Sequence, residues 1–76
     1  MNKNELIDNL DQAGIDRSHY SLSGELLPDT VVLSEYYGKW EFFYLDERGT
    51  QHNLEFFQNE IDAYEHVYQY LTRFQQ

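Results

Sequence analysis

The chain has no cysteine, one proline and only five basic residues among its 76. Without cysteine it can form no disulfide framework, which a secreted domain of this size generally needs, so we expect a cytoplasmic protein. No apolar run approaches the roughly 18–20 residues of a membrane span. The first residues also lack the basic and apolar regions of a signal peptide. The composition predicts one small domain over residues 1–76 that has no contact with a membrane.

The scarcity of basic residues leaves fourteen acidic side chains unbalanced and a net charge of −9. The charge is −2 over residues 1–24, −4 over 25–48 and −3 over 49–76, so it belongs to the whole surface and not to a tail. Direct nucleic-acid binding is disfavoured because phosphate contacts require lysine and arginine clusters. Such a surface attracts basic partners and speeds their encounter, although acidity also serves solubility alone.

Apolar residues recur at helical spacing at both ends of the chain. The first helix is predicted over Met1–Ala13 and ends at Gly14, with Ile15 folding back in a Schellman-type stop. The last helix follows an N-cap at Asn59 and runs to about Phe74. Its apolar stripe comprises Ile61, Tyr64, Val67, Tyr68, Leu71 and Phe74.

Three runs rich in β-branched and aromatic residues predict strands at Val31–Tyr37, Trp40–Leu45 and Gln51–Phe57. Gly38–Lys39 between the first two suits a type II′ turn. The stretch Asp16–Thr30 is polar and broken, and predicts a loop with one short extended piece near its middle, around Tyr20 and Leu22. The fold class is therefore α+β, in the order α-β-β-β-α, with a three-stranded antiparallel sheet packed by the two terminal helices.

The turn before the third strand decides which residues point toward the helices, because a slip of one residue exchanges the two faces. If Glu47–Gly49 forms a three-residue loop, one face becomes a continuous apolar layer. That layer would comprise Val31, Leu33, Tyr37, Trp40, Phe42, Tyr44, Leu54 and Phe56. The opposite face would show Val32, Ser34, Tyr36, Glu41, Phe43, Leu45, Asn53, Glu55 and Phe57. We prefer this register, although it sets Glu41 across from Glu55.

A two-residue loop at Arg48–Gly49 would instead align Leu54 and Phe56 with Phe43 and Leu45. Either register leaves one sheet face that mixes aromatic side chains with carboxylates, a combination that often marks an interaction site. The alternative is that the two helices cover one face each, or that the aromatic residues only strengthen cross-strand pairing.

Side chains suited to catalysis do not converge in the sequence. Ser18, His19 and Ser21 lie in one loop, but no nucleophile-elbow pattern accompanies them. His19, His52 and His66 are far apart and lack the spacing of zinc ligands. We predict that the chain is not an enzyme and holds neither a metal nor a cofactor. A small enzyme or ligand-binding domain stays open only if the fold forms a pocket.

The chain resembles the small immunity proteins of bacterial contact-dependent growth inhibition and polymorphic toxin systems. The resemblance rests on the segments Gly38–Tyr44 and Glu47–Gly49 and on Phe56, Asn59–Glu60 and Ala63–Tyr64. It implies a cytoplasmic protein that binds the C-terminal domain of a cognate toxin and neutralises it. The matching residues look structural, so the resemblance itself implies no binding residue.

The acidity fits this class if the toxin is a nuclease with a basic cleft, which the chain would occlude. The candidate partner-binding residues are Glu35, Tyr36, Glu41, Phe43, Asp46, Glu47, Glu55 and Phe57. The acids would supply charge, while Tyr36, Phe43 and Phe57 would be buried anchors. The alternative function is an acidic nucleic-acid mimic that inhibits a DNA- or RNA-binding protein of a host or phage.

Overall fold

The computed structural model describes residues 1–74 and places a helix on each side of the strands in sequence, as predicted for an α+β domain. The elements are α1 (Lys3–Gln12), a 3-10 turn (Arg17–His19), β1 (Tyr20–Ser21), β2 (Thr30–Tyr36), β3 (Lys39–Leu45), β4 (Gln51–Phe57) and α2 (Glu60–Phe74). The predicted three-stranded antiparallel sheet is wrong in detail, because the sheet has four strands in the order β1-β2-β3-β4.

The additional strand is the short extended piece expected within residues 16–30. Tyr20 and Ser21 pair in parallel with Val31 and Val32 of β2, whereas the other strands are antiparallel. A two-residue strand shows no alternation from which its pairing could be read. What holds it is burial, because Tyr20 belongs to the main core cluster.

The helix ends follow the local chemistry of capping. Asn2 caps α1 in a capping box with Glu5, and each side chain accepts the other residue's backbone amide. The predicted stop at Gly14 is confirmed, since Gly14 has φ +81° and the Ile15 amide donates to the Leu10 carbonyl at 2.9 Å. The predicted cap at Asn59 is confirmed as well, because its Oδ1 accepts at 2.9 Å from the amide of Asp62, the third residue of α2.

Both helices pack on the same face of the sheet, here called the covered face. The main core contains Leu6, Leu10, Ile15, Tyr20, Val31, Leu33, Phe42, Ala63, Tyr64, Val67 and Leu71. The alternative in which each helix covers its own face is therefore wrong. One member of the stripe predicted for α2 is wrong, because Ile61 is exposed. The side chain of Phe74 lies outside the described part of the chain.

The other side of the sheet, here called the open face, holds a second and smaller cluster of Val32, Phe43 and Leu45. The loop between β1 and β2 turns onto this side. Its Glu25 amide donates to Ser21 Oγ, and Leu26 and Pro28 line a depression together with Leu45. This loop covers one end of the open face and follows the edge of β2 as far as Leu33, whose carbonyl accepts the Gly24 amide at 3.1 Å.

The hairpin between β2 and β3 turns one position earlier than predicted. Tyr36 pairs with Lys39, so the two-residue loop is Tyr37–Gly38, with φ values of +52° and +78°. Two positive φ values define a type I′ turn and not the predicted type II′ turn. The other side chains of β2 and β3 keep their predicted faces, because the pairing shifts by two residues and successive residues alternate between the faces. Tyr37 is the exception, since it leaves the predicted apolar layer for the turn.

The loop between β3 and β4 is the predicted three-residue turn. From residue 54 onward, however, the side chains of β4 lie on the faces that the two-residue loop at Arg48–Gly49 predicted. The Gly49 amide donates to the Asp46 carbonyl at 3.0 Å, and Gly49 has φ +86°. Beyond the turn, Tyr44 pairs with His52, but Phe42 pairs with Glu55, so β4 carries one extra residue. Within this bulge Asn53 has φ +58°.

The bulge exchanges the two faces of β4 from residue 54 onward. Phe56 now pairs with Glu41 on the open face, and Leu54 shares that face by alternation. Phe57 pairs with Trp40 on the covered face, and Glu55 pairs with Phe42 there. The predicted placement of these four residues is therefore wrong. The exchange also removes the Glu41–Glu55 like-charge pair that the unbulged register would have required.

We expect the bulge to depend on the conformational tolerance of Asn53. Replacing Asn53 by alanine should lower the free energy of unfolding by about 1–2 kcal/mol, because the methyl side chain of alanine cannot form the local hydrogen bonds that let asparagine tolerate the left-handed region. Asn53→Gly should cost less, although both variants lose the 3.1 Å hydrogen bond from Asn53 Nδ2 to the Tyr70 hydroxyl. Urea denaturation would measure the difference, and equal losses in the two variants would mean that only the hydrogen bond matters.

Candidate functional site

The end of the open face nearest the Tyr37–Gly38 turn carries four exposed apolar or aromatic side chains. Tyr36 is 71% exposed, Tyr37 88%, Phe56 63% and Leu54 47%. We call these four residues the aromatic patch. Tyr36 comes from β2, Leu54 and Phe56 come from β4, and Tyr37 lies in the turn, so the fold assembles the patch from three segments. Contiguous exposed apolar surface of this kind marks interaction sites more often than it occurs by chance.

Tyr37 occupies a backbone conformation that its side chain does not favour. The first position of a type I′ turn prefers asparagine, aspartate or glycine, whereas a bulky residue at positive φ is a strained exception. The ring of Tyr37 contacts only the exposed ring of Tyr36 among the aromatic pairs of the described chain, edge to face at 4.6 Å between centroids. A strained, exposed aromatic residue at a turn is a sign of a functional position.

A depression of about 350 Å³ opens within the patch. Its lining consists of Ser34, Tyr36, Lys39, Trp40, Glu41 and Phe56. Glu41 is half-buried there between Ser34 on β2 and Phe56 on β4, its direct partners across the sheet. The site therefore combines an acidic group with flat apolar walls.

The predicted acidic residues are dispersed, and two of them have structural partners. Glu35 accepts the Gly38 amide at 2.8 Å and so closes the hairpin turn. Asp46 accepts the amides of Arg48 at 2.9 Å and Thr50 at 2.8 Å, and its second oxygen lies 2.8 Å from His52 Nε2. These contacts lower the pKa of Asp46, and the contact with His52 has the largest effect.

The remaining acids divide between the two sides of the sheet. Glu41 lies on the open face as predicted, and Glu47 is exposed in the turn at the far end of β3. Glu55 lies on the covered face, where its charge acts on His66. Of the five predicted acids, only Glu41 lies within the patch.

The three predicted aromatic anchors are likewise separated. Tyr36 belongs to the patch. Phe43 lies on the open face as predicted but is 2% exposed in the second cluster, so it supports the surface from below. Phe57 is on the covered face, with its ring 5.0 Å from that of His66. A partner that docks on the open face would meet Tyr36 and not the other two.

Sequence reasoning missed Leu54, Phe56 and Tyr37 as surface residues. The preferred register assigned the first two to the core because it included no bulge within β4, whereas the alternative register placed them on the face of Phe43 and Leu45. The signal that could have revealed it was the Glu41–Glu55 pair, since a register that sets two carboxylates face to face is unfavourable. An asparagine just before those residues, at Asn53, is the type of residue that tolerates positive φ.

Other titratable groups have local partners. The Tyr44 hydroxyl donates a short hydrogen bond to Asp29, which raises the pKa of Tyr44 to about 12. Within residues 1–74, no three histidine or acidic side chains are grouped closely enough to hold a metal ion. The same residues include no helix with the length and apolar composition that crossing a bilayer requires.

Comparison with known proteins identifies no relative of this chain. No protein-family model matches the chain, and neither a curated protein nor a solved structure shows significant similarity to it. The functional interpretation therefore rests on the residues and their geometry.

We expect Tyr37→Asn to raise the free energy of unfolding by about 1 kcal/mol, because asparagine accepts the left-handed conformation of a type I′ turn more readily. Urea denaturation would measure the change. The matched control is Tyr36→Asn, which removes the neighbouring exposed ring from a strand position where aromatic residues are favoured, and should destabilise. A loss of stability in Tyr37→Asn would show that the Tyr37 ring contributes more than its backbone strain costs.

His66 predicts a pH dependence of stability. Its ring packs against those of Phe42 at 4.4 Å and Phe57 at 5.0 Å, and burial lowers its pKa, opposed in part by Glu55. A depressed pKa in the folded state means that stability is complete above about pH 6.5 and falls as the pH drops through the lower folded-state value.

The melting temperature of the protein should therefore fall between about pH 7 and pH 5, and His66→Phe should flatten that profile. His19→Gln, which changes an exposed histidine in the 3-10 turn, should leave the slope unchanged. An unaltered slope in His66→Phe would contradict the assignment.

Proposed function

We propose that this chain is an immunity-type protein that neutralises a basic toxin domain by binding it through the aromatic patch and Glu41. The observation that carries the proposal is the patch itself: four large side chains are exposed on a sheet face that no helix covers, and two of them, Tyr36 and Phe56, line a depression with the half-buried Glu41. Interfaces derive most of their binding energy from a few such large side chains near their centre.

The net charge supports a basic partner. A protein of 76 residues that carries −9 produces a field that attracts cationic surfaces over about one Debye length, roughly 8–10 Å at physiological salt. Nuclease toxins present basic clefts to their substrates, so an acidic protein seated there would exclude the nucleic acid. The patch would supply the contacts that keep the complex together once the charges have guided its formation.

The patch also separates this proposal from the nucleic-acid mimic. A mimic substitutes carboxylates for phosphates, whereas here only Glu41 lies within the exposed apolar surface. A surface rich in aromatic side chains and poor in charged ones is typical of the centre of a protein–protein interface.

The experiment is co-expression of this chain with the product of the neighbouring open reading frame in bacteria. We expect that product to arrest growth alone and to be harmless when the chain is present. Phe56→Ser should weaken the purified complex by at least about 2 kcal/mol, roughly thirtyfold, if Phe56 is a central contact. Ile61→Ser is the matched control, because Ile61 is 62% exposed on α2, away from the patch.

A neighbouring product that is harmless alone, or that stays toxic with the chain present, would overturn the proposal. Equal effects of Phe56→Ser and Ile61→Ser would place the interface elsewhere. Stable capture of a DNA- or RNA-binding protein, displaced by its nucleic acid, would favour the mimic instead.

A further inference from the structure

The carboxylate of Glu41 is half-buried and has no hydrogen-bond or ion-pair partner in the described part of the chain. The two ion pairs that residues 1–74 form are Arg17–Asp11 and His52–Asp46. Glu41 takes part in neither, and its carboxylate accepts no hydrogen bond from the described residues. The carboxylate oxygens of Glu41 are therefore available to accept hydrogen bonds from an arriving cation.

The surroundings of Glu41 are flat and largely apolar. Phe56 lies directly across from it on β4 and Ser34 directly across on β2, positions whose Cβ atoms are typically about 4.5–5.5 Å apart. Tyr36 completes the wall of the same 350 Å³ depression. The depression thus offers a carboxylate, a hydroxyl and two aromatic side chains to one occupant, beside the ammonium group of Lys39.

We propose that this depression receives an arginine side chain of the partner, an inference that rests on the proposed function and names the group that its site recognises. Guanidinium is planar, forms paired hydrogen bonds with a carboxylate, and stacks on aromatic rings while remaining charged. A lysine ammonium offers no flat face for Tyr36 and Phe56. The net charge of −9 excludes a second copy of this chain as the favoured occupant, because two such copies repel each other.

The charge of Lys39 allows a test of whether the depression favours a cation or an anion. Its side chain lines the same depression, so its charge opposes an incoming cation. Removing that charge should strengthen the binding of an arginine peptide, whereas it would weaken the binding of an acidic ligand. Glu41→Gln should have the opposite effect, and its amide keeps the shape of the carboxylate.

The experiment titrates the full chain with the peptide acetyl-Gly-Arg-Gly-amide and follows backbone amide signals by NMR. We expect saturable shifts at Ser34, Tyr36, Glu41 and Phe56, and none from the citrulline peptide of the same shape. Glu41→Gln should weaken binding by about three- to tenfold and Lys39→Gln should strengthen it by about twofold or more. Glu65→Gln, which removes an equal charge from an exposed position of α2, should change the affinity little.

Equal shifts from the arginine and citrulline peptides would overturn the inference, and so would weaker binding by Lys39→Gln. The amide spectrum of each variant also shows whether it is folded. The titration needs no cognate toxin, so its outcome is independent of the co-expression experiment. If the patch variants disrupt neutralisation while the peptide does not bind, the proposed function stands and the arginine site fails.

Discussion

One extra residue in β4 determines the character of the whole surface. The bulge at Asn53 lies between the Tyr44–His52 pair and the Phe42–Glu55 pair, and it reverses the faces of every later residue in that strand. Phe57 thereby reaches the covered face and packs against α2, while Phe56 is left exposed on the open face. Without the bulge, the same sequence would bury the aromatic side chain that now faces solvent.

Two non-glycine residues that flank the candidate site, Asn53 and Tyr37, have positive φ, and the two positions are stabilised differently. Asn53 belongs to a residue type that tolerates the left-handed region, and its amide also bonds to Tyr70. Tyr37 has no such compensation in its chemistry, and the turn is held instead by Glu35, which accepts the Gly38 amide. The Glu35 carboxylate thus stabilises a turn whose first residue, Tyr37, has an unfavourable backbone conformation. Such an arrangement is expected where the exposed Tyr37 ring has a function.

The positions of the helices and strands were predicted from the sequence more accurately than the residues that lie exposed on the sheet. Gly14 and Asn59 define helix ends through contacts a few residues away, so local chemistry was sufficient there. The three-residue turn ending at Gly49 was also correct for that reason. The faces of β4 depend on a bulge several residues beyond the turn, and the pairing of Tyr20–Ser21 depends on burial against distant residues. Phe56 and Leu54 were consequently placed in the core, and Phe57 on the surface.

The distribution of the acids shows that attraction and contact are separable in this protein. Glu35 and Asp46 are engaged by turn amides, but a carboxylate that accepts hydrogen bonds keeps its full charge and its long-range field. These residues can therefore guide a basic partner without touching it, and their structural roles fix where the field originates. In the proposed complex the contact itself would fall to the patch, where the Glu41 carboxylate has no hydrogen-bond or ion-pair partner among residues 1–74. In the proposed complex, the rate of association would depend on the whole net charge, whereas the lifetime would depend on a few residues at one end of the open face.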